Sequence, residues 1–168
     1  TAPHYLTLTD EACMGFNANA KMNPPLRTEA DRQALLRALA DGTIDVVATD
    51  HAPHAEYEKD TEFDKAPFGI IGLETAFGLI WTHLVRPGLI GPSQAIWLMS
   101  TAPARVLGLP GGTLAPGSPA DVSVFDLDEE WQVDPASMRS KSRNTPFAGW
   151  QLRGRARFTV VGGRIVEN

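Results

Sequence analysis

The chain has 168 residues, 43% of them apolar and 21% charged, and a net charge of −5 at pH 7. This length suits one domain with a sizeable core, and the acidic balance argues against nucleic acid, whose binding requires a basic stripe. No apolar run approaches the roughly 20 residues of a membrane span, and the single cysteine, Cys13, excludes an intrachain disulfide and favours the reducing cytoplasm.

The chain opens without methionine, in a segment that already has a strand pattern. PHYLTLT at 3–9 alternates weakly between apolar and polar residues, which predicts a short strand. NANAKMNPPLR at 17–27 predicts a loop, because Pro-Pro is incompatible with regular structure. An opening of this kind leads us to expect a piece of a larger protein.

A helix and a strand follow in close succession. TEADRQALLRALADG at 28–42 predicts a helix with Thr28 as N-cap and Asp31 completing a capping box. The β-branched run IDVVAT at 44–49 follows after a very short connection. A helix that leads into such a run is typical of a parallel α/β sheet.

The middle of the chain predicts a polar loop and three helices. AEYEKDTEFDKAPFG at 55–69 is a surface loop, and we expect its part from 55 to 65 to move as a lid when no substrate is bound. LETAFGLIWTHLVR at 73–86 predicts a helix. Two shorter helices with a turn between them are predicted at 92–100 and 101–109.

The composition then shifts towards strands and turns, which predicts two units: 1–109 as α/β structure and 110–168 as a small β unit. ADVSVFDL at 120–127 alternates with period two. More strand material is predicted at 147–168, with the two-residue hairpin turn Gly162–Gly163. A β unit this small is marginally stable alone, so we expect it to pack on another part of the protein.

The stretch DVVATDHAPH concentrates polar chemistry at the end of the predicted strand 44–49. Ligands bind at the carboxyl ends of strands in parallel α/β sheets, and Asp50 lies at that end. Its carboxylate can bind a metal or act as a general base, and His54 can donate to an anionic substrate. The alternative is that Asp50 is an ordinary turn former and His-Ala-Pro-His an ordinary turn.

Four stretches together resemble the dihydroorotases of the amidohydrolase superfamily: NAKMNPPLRTEADRQAL, ATDHAPH, APFGIIGLETA, and the pair GTLAPGSPADVSVFD and RGRARFTVVGGRIV. The resemblance covers essentially the whole chain. It implies the C-terminal part of a TIM-like (β/α)8 barrel, with 1–109 belonging to the barrel and 110–168 to a small β-sandwich. It also implies the reversible cyclisation of N-carbamoyl-L-aspartate to dihydroorotate in pyrimidine biosynthesis.

The resemblance also implies a role for each matching residue. Asp50 would bind zinc at the end of the eighth barrel strand and would carry the proton between the attacking hydroxide and the ring nitrogen. His54 would bind the substrate carboxylate, and Asn23 would hydrogen-bond the pyrimidine ring. The backbone of Phe68 and Gly69 would close over the substrate.

The chain departs from this family in its metal ligands. The family uses a His-x-His pair, a bridging carboxylate or carboxylated lysine, and further histidines, whereas this sequence has no His-x-His. Only Asp50 is a candidate ligand, so one or two zinc ions would need the missing N-terminal half of the barrel. We therefore expect an incomplete fragment that is inactive alone. Homo-oligomerisation and association with aspartate transcarbamoylase stay open.

Three other hypotheses fit parts of the same sequence. A hydantoinase or allantoinase shares the fold and the strand-end aspartate, but DHAPH together with NPPLR favours dihydroorotase. A non-catalytic dihydroorotase-like subunit that scaffolds aspartate transcarbamoylase is expected to lose metal ligands, whereas Asp50 and His54 are both kept. An α/β domain without activity is the third hypothesis.

Three further polar side chains have predicted roles. His4 is expected to be structural, or to support a metal ligand rather than bind metal itself. His51 should point away from Asp50, because neighbours on an extended segment alternate faces. Lys21 is expected to be solvated or in an ion pair.

Overall fold

The computed structural model describes residues 1–166, so the last two residues of the predicted strand segment 147–168 lie outside the described range. In that range no helix is long and apolar enough to cross a membrane. Besides short 3-10 and π-helical turns, residues 1–166 form six α-helices and three strands: α1 (Pro3–Thr7), α2 (Glu29–Ala40), α3 (Glu56–Lys59), α4 (Ala76–Ile80), α5 (Pro92–Ile96), α6 (Ala102–Leu107), β1 (Val122–Gln132), β2 (Gln151–Val161) and β3 (Arg164–Val166).

Helix α2 confirms the prediction from its capping residues. The hydroxyl of Thr28 accepts the N–H of Asp31 at 3.4 Å, and the Asp31 carboxylate accepts the N–H of Thr28 at 3.2 Å. These two bonds satisfy N–H groups that have no partner inside the helix. Leu36 and Leu39 are the buried side chains of α2, and they pack the helix against the core.

The predicted turn between the helices at 92–100 and 101–109 is absent. Helix α5 continues through a π-helical turn, Trp97–Thr101, directly into α6, and Thr101 keeps helical angles of −67° and −47°. Proline removes a backbone donor, and the wide turn comes just before Pro103. The helix therefore passes this residue without breaking.

The predicted strand at 3–9 is wrong, because Pro3–Thr7 form α1. Proline is favoured in the first helical turn, where its missing N–H has no partner in any case. Leu6 is fully buried, so tertiary packing fixes this short helix where the weak alternation had predicted a strand.

The predicted strand at 44–49 is extended but forms no ladder within residues 1–166. Its backbone partners include Thr1, whose amino group donates to Val46 O at 2.9 Å and whose carbonyl accepts the N–H of Ala48 at 2.8 Å. The N–H of Val47 donates to Leu98 O at 2.9 Å. In a closed barrel every strand has neighbours along both edges. The sheet within residues 1–166 has three strands and the rest is helix and loop, so a mixed helix and sheet fold is observed and the (β/α)8 barrel stays a prediction.

The sheet has the order β1-β2-β3 and is antiparallel throughout. The hairpin turn at Gly162–Gly163 is confirmed, with φ values of 55° and 79° that only glycine adopts easily. Of the expected β-sandwich, residues 1–166 form this three-stranded sheet. The division at residue 109 stays a prediction.

Helix α4 and its π-helical continuation, Trp81–Val85, confirm the helix predicted at 73–86 and pack on β2. The approach is close enough that a Cβ on Gly78 would lie 3.1 Å from Leu152, and one on Gly154 would lie 2.9 Å from Phe77. One buried cluster joins α4 to the sheet through Leu79 and Leu152, and a second joins α4 to α2. The loops that follow residue 49 are therefore attached to a core in which α4 packs against both the sheet and α2.

Candidate active site

Asp50 ends the extended segment 44–49 with a positive φ of 49°. Aspartate tolerates this conformation better than most residues. The side chain of Asp50 is 56% exposed. The carboxylate therefore lies at the exit of this segment and is open to solvent, and its role as metal ligand or general base stays a prediction.

His4 lies beside this carboxylate and is almost completely buried. Its Nε2 atom is 4.0 Å from Asp50 Oδ2 and has no hydrogen-bond partner in the described part of the chain. Burial lowers the pKa of His4 to about 4, although the Asp50 charge acts in the opposite direction. The imidazole is therefore neutral at pH 7 and stands beside Asp50, which suits the supporting role predicted for it.

The rings of His51 and His54 both form hydrogen bonds to backbone groups between residues 68 and 72. His51 Nδ1 accepts the N–H of Gly72 at 3.1 Å, so this ring is directed to that segment. His54 Nε2 donates to the carbonyl oxygen of Phe68 at 2.9 Å. His54 Nδ1 lies 3.8 Å from Glu58 Oε2. The Nδ1 edge of the His54 ring therefore faces Glu58.

Phe68 and Gly69 lie against the residues that follow Asp50. Gly69 has a φ of +104°, and a Cβ there would approach the Cβ of Ala52 to 2.5 Å. Only glycine fits this contact. The structure thus brings the predicted Phe68–Gly69 backbone next to the segment of His54.

Asn23 is exposed on the loop at 17–27, and its neighbours Met22 and Leu26 are buried in the core. The hydroxyl of Tyr5 donates to the carbonyl of the next residue, Pro24, at 2.7 Å. The loop is therefore fixed on both sides of the asparagine, and its amide stays free to face solvent.

Lys21 is buried, so the prediction of a solvated side chain is wrong. Its Nζ donates to the carbonyl oxygens of Asp64 and Ala66 at 3.0 and 2.7 Å and lies 4.7 Å from the centre of the Phe68 ring. Its own carbonyl accepts the N–H of Gly69 at 2.8 Å. Lys21 therefore joins the Asn23 loop to the Phe68–Gly69 segment.

Sequence reasoning missed Asn144, which is 4% exposed and bonds to both the His54 and the Gly69 segments. Its partners lie 75 to 92 residues away along the chain. The only local signal was an asparagine in the stretch SRNTPF, which is also typical of an ordinary turn.

The donor set of this chain does not fit a zinc site on its own. Within residues 1–166 no group of three or more His, Cys, Asp or Glu side chains could hold a metal ion. Asp50 is one carboxylate with one neutral imidazole near it, whereas zinc in proteins takes three or four protein ligands.

The chain matches known proteins over nearly its full length. The sequence profile of the amidohydrolase family matches residues 6–166. The chain is 58% identical over 165 residues to a dihydroorotase of Pelotomaculum thermopropionicum, and 54% identical over 167 residues to one of Elusimicrobium minutum. These matches cover 98% and 99% of this chain but 39% of each relative.

Among solved structures, an L-hydantoinase from Arthrobacter aurescens superposes with a TM-score of 0.92 at 30% identity, over 100% of this chain and 38% of that one. A dihydropyrimidinase from Brevibacillus agri gives 0.91 at 28% identity, with the same coverage. The chain thus spans less than two fifths of the length of the relatives it matches, and it belongs to the amidohydrolase family.

Proposed function

We propose that the protein containing this chain is a dihydroorotase, which interconverts N-carbamoyl-L-aspartate and dihydroorotate in pyrimidine biosynthesis. The observation that carries this proposal is Asp50, presented at the exit of the extended segment with His54 and the Phe68–Gly69 backbone close by in the fold. Identity favours the same substrate, since relatives named dihydroorotase are 51–58% identical to the chain.

In the hydrolytic direction an attacking hydroxide adds to the ring carbonyl of dihydroorotate, the ring C–N bond breaks, and the nitrogen gains a proton. Asp50 takes the proton from the hydroxide and delivers it to the departing nitrogen, as a general base and then a general acid. The reverse sequence closes the ring and expels hydroxide, which takes up a proton from solution to become water. This carboxylate is largely exposed, so it is free to face the reacting atoms.

Substrate binding is assigned to the neighbouring loops. With Nε2 donating to Phe68, a protonated Nδ1 of His54 would donate to the substrate carboxylate. The exposed amide of Asn23 would hydrogen-bond the ring, and the backbone of Phe68 and Gly69 would cover it. We further propose that Asp50 is one ligand of a zinc site whose other ligands lie outside this chain, and that the enzyme works in the cytoplasm.

A hydantoinase-type cyclic amidohydrolase is the second candidate, because solved structures that superpose on the chain include hydantoinases and a dihydropyrimidinase. The test is to purify the full-length parent protein and measure hydrolysis of dihydroorotate, hydantoin, dihydrouracil and allantoin side by side. We expect dihydroorotate to have the highest kcat/KM. A clear preference for another ring would overturn the proposal, and no turnover of any ring would favour a non-catalytic partner of aspartate transcarbamoylase.

A further inference from the structure

The Asn144 side chain is a buried junction between three segments of the chain. It lies in the connection between β1 and β2 and is 4% exposed. Its Nδ2 group donates to Ala52 O at 2.9 Å and to Gly69 O at 3.2 Å. Its Oδ1 accepts the N–H of His54 at 3.1 Å.

These contacts use both N–H donors of the amide and its oxygen. The backbone carbonyl of Asn144 also accepts the N–H of Ile71 at 3.0 Å. A buried amide is costly unless its polar atoms have partners. Here every partner is a backbone group of one of two loops of the candidate active site, residues 51–54 and 68–71. The residue therefore determines backbone positions rather than filling space.

Besides Asn144, two side-chain bonds join these loops: His54 Nε2 donates to Phe68 O at 2.9 Å, and His51 Nδ1 accepts the N–H of the adjoining Gly72 at 3.1 Å. Residues 51–54 and 68–71 meet at one isolated parallel bridge between His51 and Ile70, where the N–H of Ala52 donates to Ile70 O at 2.8 Å. An isolated bridge lacks the neighbouring ladder bonds that stabilise a strand pair. The three side-chain bonds of Asn144 are added directly beside it.

We infer that Asn144 is a positioning residue for substrate binding: it fixes the His54 backbone and the Gly69 carbonyl relative to each other, so that His54 and the Phe68–Gly69 backbone reach the substrate together. This inference rests on the proposed dihydroorotase function. Asn144 acts through these segments, and the contacts of the Asp50 carboxylate do not include it. Loss of the amide should therefore weaken substrate binding more than it slows the chemical step.

The kinetic test compares Asn144→Ala with Thr145→Ala in the full-length parent protein. Thr145 is the matched control, because it is adjacent, equally buried, and accepts only a local bond from the N–H of Phe147. We expect Asn144→Ala to raise KM for dihydroorotate roughly tenfold or more, with a smaller change in kcat. Equal KM values in the two variants would overturn the inference.

Hydrogen exchange read by mass spectrometry tests the positioning without any activity. In Asn144→Ala, peptides covering 50–56 and 66–74 should exchange faster than in Thr145→Ala. Asn144→Asp keeps the acceptor for the N–H of His54 but turns an oxygen towards the carbonyls of Ala52 and Gly69, one in each peptide. Both peptides should therefore exchange faster than in Thr145→Ala, and the first should exchange more slowly than in Asn144→Ala. Unchanged exchange in both variants would overturn the inference.

These readouts separate the two proposals. A wild-type parent without dihydroorotate turnover would contradict the proposed function, and the exchange pattern would still decide whether Asn144 holds the loops. If Asn144→Ala does not fold, Asn144→Asp supplies both measurements. Faster exchange with an unchanged KM would remove the substrate-binding part of the inference.

Discussion

Asp50 combines a turn conformation with an exposed carboxylate, and a simple turn former needs only the first. In the full-length parent, Asp50→Asn keeps the size of the side chain but removes the charge and the proton-accepting oxygen. We expect kcat for dihydroorotate to fall by roughly three orders of magnitude, since general base catalysis typically contributes a factor of about 10² to 10⁴. The measurement is steady-state turnover of purified protein with its unfolding midpoint recorded.

Asp45→Asn is the matched control for that variant, because Asp45 is exposed on the same extended segment, five residues earlier. Its turnover should equal that of the wild type. Near-normal kcat in Asp50→Asn would remove Asp50 from the reaction.

Gly69 offers a second test at the scale of one residue. Gly69→Ala adds a Cβ that would lie 2.5 Å from the Cβ of Ala52, and φ is already +104°. We expect the variant to fold but to lose most of its kcat/KM, because the Phe68–Gly69 backbone must move away from the His54 segment. Gly88→Ala shares a positive φ of +81° but meets no atom within 4 Å, so it measures backbone strain alone. Equal losses in both variants would show that the close contact does not matter.

Single residues were predictable where the chemistry was local. Asp50 is a predicted site residue because a carboxylate directly follows an apolar run. Lys21 is predicted to be solvated or in an ion pair, but its carbonyl partners come from 43 and 45 residues later. The local signal of Asn144 is an asparagine in SRNTPF, which is also typical of an ordinary turn. Burial of a polar side chain is decided by which segments meet in three dimensions, and a single sequence does not contain that information.

The part of the polar loop from 55 to 65 is predicted to move as a lid, and this stays a prediction. Helix α3 lies within it, and Lys59 is buried with its Nζ donating to Pro67 O at 2.8 Å. Burial, and then the nearby charge of Lys21, lower the Lys59 pKa from 10.5 to about 8. The closed loop therefore contains a lysine that loses its proton more readily than it would in an open loop.

This difference predicts the pH dependence of loop opening. Between pH 8 and 10.5 the open loop binds more protons than the closed one, so the closed form gains stability as pH rises through that range. Cleavage of the loop by an added protease should slow between pH 8 and pH 10 relative to Lys59→Gln, which lacks the titrating group. The measurement is the ratio of cleavage rates of the two proteins at each pH. A ratio that stays constant with pH would contradict the lowered pKa of the buried Lys59 side chain.

Elements were predictable where their own residues determine them. The capping box fixed the start of α2, and two glycines fixed the hairpin turn before β3. The segment at 44–49 was predicted as a strand and is extended, but the neighbours that would complete its ladder are absent from residues 1–166. The short α1 was mistaken for a strand because five residues contain too little periodicity to distinguish the two.

At the scale of the whole molecule, the chain exposes apolar surface that a complete protein would cover. Many large apolar side chains are exposed on α6, on the connection after it and on the sheet: Val106, Leu107, Leu109, Leu114, Val124, Phe158 and Ile165. The chain spans 39% of the length of its dihydroorotase relatives. Contiguous exposed apolar surface marks interaction sites, and we predict that these side chains are covered by the part of the protein that this chain does not span.

The last prediction concerns residues 1–168 purified alone. We expect no hydrolysis of dihydroorotate and no stoichiometric zinc, because Asp50 has no second and third ligand within the described residues. The extended segment 44–49 and the exposed apolar side chains should make the protein self-associate. The measurements are metal content, turnover and mass in solution, with the full-length parent as the positive control. Co-expression with the remainder of the parent should restore bound zinc, turnover and a defined mass in solution, because the missing ligands and strand neighbours return together. A zinc-loaded, active monomer of the 168 residues would show that this chain is sufficient by itself.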